Sequence, residues 1–152
     1  MPVTLVWFRS DLRIHDNTAL YHAARRGPVI GVFLHAEQQW REHGHGDNKL
    51  DFLCRGVEAL GEALAERNIP LIQRQVPRFD DAPQALMALA EELAPDVVVM
   101  DLAMPKLNGV DATARIRKAC PDTQVVVLSM HATAAHVRPA LRAGARGAEN
   151  RG

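Results

Sequence analysis

Short apolar runs alternate along this chain with longer stretches in which apolar residues recur every three or four positions. The short runs read as buried strands and the longer ones as helices laid across them. Val3 to Arg9 is the first strand. Asp16 or Asn17 caps a helix that passes through Ala19-Leu20 and Ala23-Ala24 to Arg26 and stops at Gly27. Pro28 to His35 is the second strand, and a polar stretch, Ala36 to Gly46, follows it. Asp47 to Arg67 is a long helix whose Leu50, Leu53, Val57, Leu60 and Leu64 share one face. Ile69 to Val76 is the third strand, and Asp80 or Asp81 caps a helix through Leu86, Leu89 and Leu93. Asp96 to Asp101 is a buried strand ending in a carboxylate. Asn108 to Ala119 is helical, Thr123 to Ser129 is the fifth strand, and Thr133 to Ala143 is a last helix closed by Gly144. The tail 145–152 has almost no apolar content and is expected to be disordered.

Strands alternating with helices define an α/β fold, a three-layer doubly wound domain of Rossmann- or flavodoxin-like type built on a parallel sheet. A length of 152 residues is enough to bury a core without disulfides or metal, and no linker divides it, so one domain over 1–152 is expected. Lys+Arg and Asp+Glu are equal at 18 each, which leaves no basic excess to grip phosphates; no nucleic-acid partner is expected. No apolar run approaches the roughly 20 residues that cross a bilayer, so no membrane partner is expected. The opening Met1 to Arg9 is too short and too early in charge for a signal peptide. The two cysteines, Cys54 and Cys120, make no disulfide framework, and a reduced, cytoplasmic setting fits them. Balanced charge gives little protection against self-association. The strand Val125 to Leu128 is apolar with no following strand in sight, so pairing of copies through that edge is expected.

Two stretches of the chain resemble two different families. Trp7-Phe8-Arg9-Ser10-Asp11-Leu12-Arg13, with Asp16-Asn17 and Ala19-Leu20, resembles the N-terminal α/β domain of the DNA photolyase and cryptochrome family. The likeness continues through Gln39-Trp40 and Leu60 to Pro70 and covers about residues 1–94. In that family a larger helical domain binds FAD and damaged DNA, and some members hold a folate or deazaflavin antenna in the cleft between domains. From about residue 95 the chain resembles a response-regulator receiver. Pro95 to Pro105 is similar to the phosphoacceptor strand and its loop, Asn108-Gly109 to the start of the next helix, and Val125 to Met130 to the strand bearing the hydroxyl switch residue. Ala140 to Gly147 is similar to the helix end that leads into the last receiver strand. The two likenesses abut, and neither is complete. In photolyase-like domains the sheet order is 3-2-1-4-5, and in receivers it is 2-1-3-4-5. In both, the strand that begins the second segment lies beside strand 1, just across the topological switch point. A strand-helix-strand-helix block can change hands there with its right-handed crossovers intact. The expected product is a five-stranded sheet of order 3-2-1-4-5, and an engineered chimera is its simplest origin.

What the resemblances imply chemically is incomplete. Receivers phosphorylate an Asp at the position of Asp101 with Mg²⁺ held by an acidic pair at the end of strand 1, and switch through a hydroxyl at the position of Ser129. Here strand 1 ends Trp7-Phe8-Arg9, and the receiver Lys position falls on Arg151. Only Asp101 and Ser129 remain, a vestigial phosphoacceptor set. Arg9, Asp11 and Arg13 form a candidate anion or cleft cluster, with an ion-pair network shaping the turn as the plainer alternative. His43 and His45 have no third ligand nearby, so no metal site is assigned. Cys54 and Cys120 read as packing residues, and Trp40 as the anchor of its loop. No catalytic residue and no cofactor are assigned, and no enzyme activity is expected. The alternatives are a vestigial chromophore- or nucleotide-binding module of photolyase type, and a weak phosphoacceptor working through Asp101.

Overall fold

The computed structural model describes residues 2–101, 108–129 and 134–150. The strands are β1 (Thr4–Phe8), β2 (Val29–His35), β3 (Leu71–Gln75), β4 (Val97–Asp101), β5 (Gln124–Ser129) and β6 (Gly147–Asn150). The helices are α1 (Thr18–Ala24), α2 (Glu37–Glu42), α3 (Asp47–Ala65), α4 (Ala82–Leu93), α5 (Asn108–Ala119) and α6 (Ala134–Arg142). Every strand pairs in parallel, in the order β3-β2-β1-β4-β5-β6. The expected 3-2-1-4-5 arrangement is therefore present, and β6 extends it. Right-handed crossovers in this order put α1 and α3 on one face and α4, α5 and α6 on the other. The helix contacts agree: α1 lies on β1, β2 and β4, while α4 packs on α5 and α5 on α6.

The two segments share one core. Leu5 and Val6 of β1, Val98 and Val99 of β4, and Val126 of β5 are all buried. Parallel strands covered on both faces need apolar side chains in both directions, and β4 supplies them in the run Val97-Val98-Val99-Met100. At the base of the sheet the Asp96 carboxylate accepts from Val3 N–H at 2.6 Å, and Thr123 Oγ1 donates to Pro95 O at 2.8 Å. The residue pair Pro95-Asp96 is thus tied to both the start of β1 and the start of β5.

Three local expectations change. The tail is not structureless throughout: Gly147–Asn150 pair with Val126 to Ser129. The sequence GAEN has no apolar alternation to announce a strand, and it pairs with β5 through a parallel main-chain ladder. It follows that β5 is an interior strand, and the apolar edge expected at Val125 to Leu128 is covered. The stretch Ala36 to Gly46, read as polar loop, contains α2, a single short amphipathic piece that buries Gln39 and Trp40. Of the proposed caps, Asn17 holds α1 by accepting from Leu20 N–H at 3.0 Å, whereas Asp16 sits at φ +52° before it. Asp81 precedes α4, but its carboxylate accepts from Arg78 N–H instead of capping the helix.

Two glycines answer to backbone geometry. Gly144 closes α6 at φ +105°, with Arg117 Cγ 3.1 Å from where a Cβ would stand. Gly31 in β2 lets Leu71 and Phe8 approach to 3.1 and 3.2 Å of the same point. Ala94 ends α4 in the left-handed region at φ +44°, where a methyl-bearing residue is strained and glycine is not. Ala94→Gly should therefore raise stability by about 0.5–1 kcal/mol, less what glycine adds to unfolded-chain entropy. Urea denaturation followed by circular dichroism reads this as a later midpoint in a single transition. An earlier midpoint would show that the left-handed turn carries no strain.

Candidate functional site

The carboxyl ends of β1 and β2 open into a cleft of about 440 Å³. It lies beyond the carboxyl ends of the strands, where doubly wound sheets offer ligands room, but on the β1–β2 side of the switch point between β1 and β4. Trp7, Phe8, Arg9 and Ser10 come from the end of β1, and Phe33 and Leu34 from the end of β2. Trp40 of α2, Phe79 after β3, His45, and Lys49, Leu50, Phe52 and Leu53 of α3 complete the wall. Among the described residues the lining carries Arg9 and Lys49 as cations and no carboxylate.

Packing of rings sets the wall. Trp40, 8% exposed, lies 5.8 Å from the Phe79 ring, 6.5 Å from Phe33 and 6.4 Å from His35, centroid to centroid. The Arg9 guanidinium stands 5.4 Å over the Trp7 ring and 5.5 Å over Phe79. Such cation–π contacts hold a guanidinium flat against a ring face while leaving its edge for hydrogen bonding. The helix α2 is strapped in place from two sides. Gln39 Oε1 accepts from Phe79 N–H, and Arg78 pairs with Glu42 at 3.0 Å. Arg41 holds both Glu37, at 2.8 Å, and Asp47, at 2.7 Å. Those two carboxylates, hydrogen-bonded to the guanidinium, keep its pKa above the ordinary value.

Each residue singled out from sequence has a place in this frame. Arg9 faces the cleft, as described. Asp11 and Arg13 form an ion pair at 2.9 Å on the turn after β1, with side chains 26% and 58% exposed, a pair of the kind that contributes little stability. Asp101 ends β4 opposite Leu128 of β5, and Ser129 stands opposite Asn150 of β6. Their side chains lie outside the described residues, as does Arg151. His45 lines the cleft while His43 ends α2. Among the described residues no group of three His, Cys, Asp or Glu side chains gathers to hold a metal. Cys54 is exposed on α3; Cys120 is half-buried, and burial, aided by the Glu91 charge, pushes its thiol pKa up, which disfavours the reactive thiolate.

Phe33, Lys49, Phe52 and Phe79 were not singled out from sequence. The available signal was positional: in such sheets the residues just after each strand face the ligand, and Phe79 follows β3 closely.

A doubly wound α/β domain with an aromatic, cationic cleft at its strand ends is the class this geometry defines. The sequence model for DNA photolyase matches residues 4–145, and the chain belongs to that family. Its curated relatives fall into two groups. The deoxyribodipyrimidine photo-lyase of Vibrio cholerae is 40% identical over 90 residues, 59% of this chain and 19% of the relative. The transcriptional regulatory protein DegU of Brevibacillus brevis is 46% identical over 59 residues, 39% of this chain and 25% of the relative. The chain thus joins photolyase-like and receiver-like sequence, and it spans about a fifth of the photolyases it matches. Among solved structures, a LuxR-family response regulator from Aurantimonas sp. SI85-9A1 superposes with a TM-score of 0.45 at 25% identity, over 78% of this chain and 70% of its own. The fold itself rests on the strand order. Among the described residues, no helix is long and apolar enough to cross a membrane.

The strap gives the site its own test. Gln39 is 8% exposed, and its amide oxygen is the acceptor for the Phe79 N–H. Truncation leaves that donor unpaired in a half-buried place, at a cost of about 1–2 kcal/mol. Gln39→Ala should lower the unfolding free energy by that amount, read as an earlier urea midpoint, and red-shift tryptophan emission as Trp40 loosens. Unchanged emission together with an unchanged midpoint would show that α2 is held without this bond.

Proposed function

We propose that the chain is a non-catalytic α/β scaffold, joined by engineering from two families, whose cleft is a weak binding place for a planar, anionic ligand of chromophore or nucleotide size. The observation that carries this is the cleft lining: aromatic rings for a planar body, Arg9 and Lys49 for negative charge, and no carboxylate among the described lining residues to oppose it. Ring faces and a stacked guanidinium suit a flat conjugated system, and the absence of lining acids removes the repulsion an anion would meet. The cleft is open on one side, so a ligand is covered less fully than in the enclosed sites that bury most of it. Binding is accordingly weak, and no chromophore should co-purify.

Flavin mononucleotide is a suitable probe. Quenching of flavin fluorescence should give a dissociation constant of about 10–100 μM, weakened by about tenfold in Lys49→Glu. Quenching that fails to saturate near millimolar protein, or that is equal in the variant, would remove the binding reading.

The absence of catalysis has a separate test at Asp101. The register sets Val99 beside Val6, so β4 ends next to β1, whose terminal residues Trp7-Phe8-Arg9 offer no carboxylate. Phosphoryl transfer depends on positioned positive charge, and Asp11, which shares a small pocket there with Val99 and Met100, is already paired with Arg13 at 2.9 Å, so Mg²⁺ lacks the acidic pair that would hold it. Incubation with acetyl phosphate and Mg²⁺ should add no phosphate to the intact mass. A magnesium-dependent adduct that disappears in Asp101→Asn would establish the phosphoacceptor alternative instead.

A further inference from the structure

Phe52 is 79% exposed, the most exposed of the large apolar side chains among the described residues, and it stands on the rim of the aromatic cleft. A helix residue facing solvent to that degree gains nothing from its own fold, yet here it lies beside a hole of matching chemistry. Knob and hole on one face of one molecule are exchanged by a two-fold axis, so a second copy satisfies both at once. The charges fit the same exchange. Asp51 precedes Phe52, and Lys49 lines the cleft with no ion-pair partner among the described residues. Among the described residues Asp51 pairs with Arg55, at 2.8 Å, in an exposed pair that contributes little and can be shared. Formal net charge is zero, so no long-range repulsion keeps copies apart.

We infer that this chain self-associates through the N-terminal part of α3, with Phe52 of each copy seated in the aromatic cleft of the other and Asp51 of each meeting Lys49 of the other. The helices cross antiparallel at the axis. The surface differs from the sheet edge, where β6 covers the apolar strand. The pairing does not depend on the cleft taking a small ligand, though a ligand there competes with it.

Sedimentation velocity from low micromolar to near-millimolar concentration reads the association directly. The expected result is a concentration-dependent dimer, weakened about tenfold or more in Phe52→Asp with an unchanged circular dichroism spectrum. Lys49→Asp should weaken the dimer, and adding Asp51→Lys to the same chain should restore it. A single monomeric species up to near-millimolar concentration overturns the inference, as does a dimer indifferent to Phe52→Asp. If that variant fails to fold, the charge exchange decides: no loss in Lys49→Asp, or no restoration in the double variant, overturns it equally. Saturable flavin quenching without a dimer removes this inference and leaves the proposed ligand site standing; a dimer without flavin binding does the reverse.

Discussion

Everything else in the molecule hangs on the pairing of β1 with β4. That ladder is the boundary between the photolyase-like and receiver-like parts, and it sets Thr4, Leu5 and Val6 beside Val97, Val98 and Val99. The N–H groups of Asp96 and Val97 both donate to Val3 O, at 2.9 and 3.1 Å, and the Asp96 carboxylate returns a bond from Val3 N–H. Main-chain ladders ask little of sequence. What this position demands is a short strand apolar on both faces, flanked by crossovers of the correct hand, and the run Val97 to Met100 meets that demand. A strand from another lineage can fill the slot because the constraint is generic.

Chemistry at the strand ends is not generic. Side chains from neighbouring strands must converge there on one ligand, with charges matched to within a few ångströms. The first part of the chain brings Arg9, Trp7 and Phe33 to the cleft, and these cooperate with Phe79 and Trp40 from the same part. The second part brings Asp101 at the end of β4, next to a strand whose own end supplies an arginine where receiver chemistry asks for acids. Exchanging a block at the switch point preserves the core and divides the site, since the core depends on apolar pattern while the site depends on individual residues. The proposal of a binding scaffold without catalysis follows from that asymmetry.

The same asymmetry explains what could be read from the sequence. Leu50, Val57, Leu60 and Leu64 announce α3 and its buried face because helical periodicity repeats over 19 residues. The strand order was legible because both resemblances agree on what lies beside strand 1. β6 was not, since Gly147 to Asn150 carry no apolar alternation. Nor was α2, where six residues are too few to show a period and Trp40 reads alone as a loop anchor. The cleft was half legible. Arg9 stood out as a charge, but the ring that flanks it opposite Trp7 is Phe79, far along the chain and brought near only by β3 pairing beside β2.

α3 shows how one element serves two purposes without conflict. Its core face, Leu50, Val57, Leu60 and Leu64, is buried, and burying four such side chains contributes several kcal/mol, on the order of 1.5–3 each. Its outer turn carries Lys49, Asp51 and Phe52, whose exposure leaves the fold indifferent to them. A surface residue free of folding duty can take any identity at small cost. An exposed phenylalanine beside an aromatic cleft therefore owes its energetic consequence to whatever fills that cleft. In the proposed dimer, cleft occupancy and association are coupled through a few residues at one end of one helix. A ligand that takes the cleft displaces Phe52 of a second copy, and by linkage association lowers the apparent affinity for the ligand by the same factor.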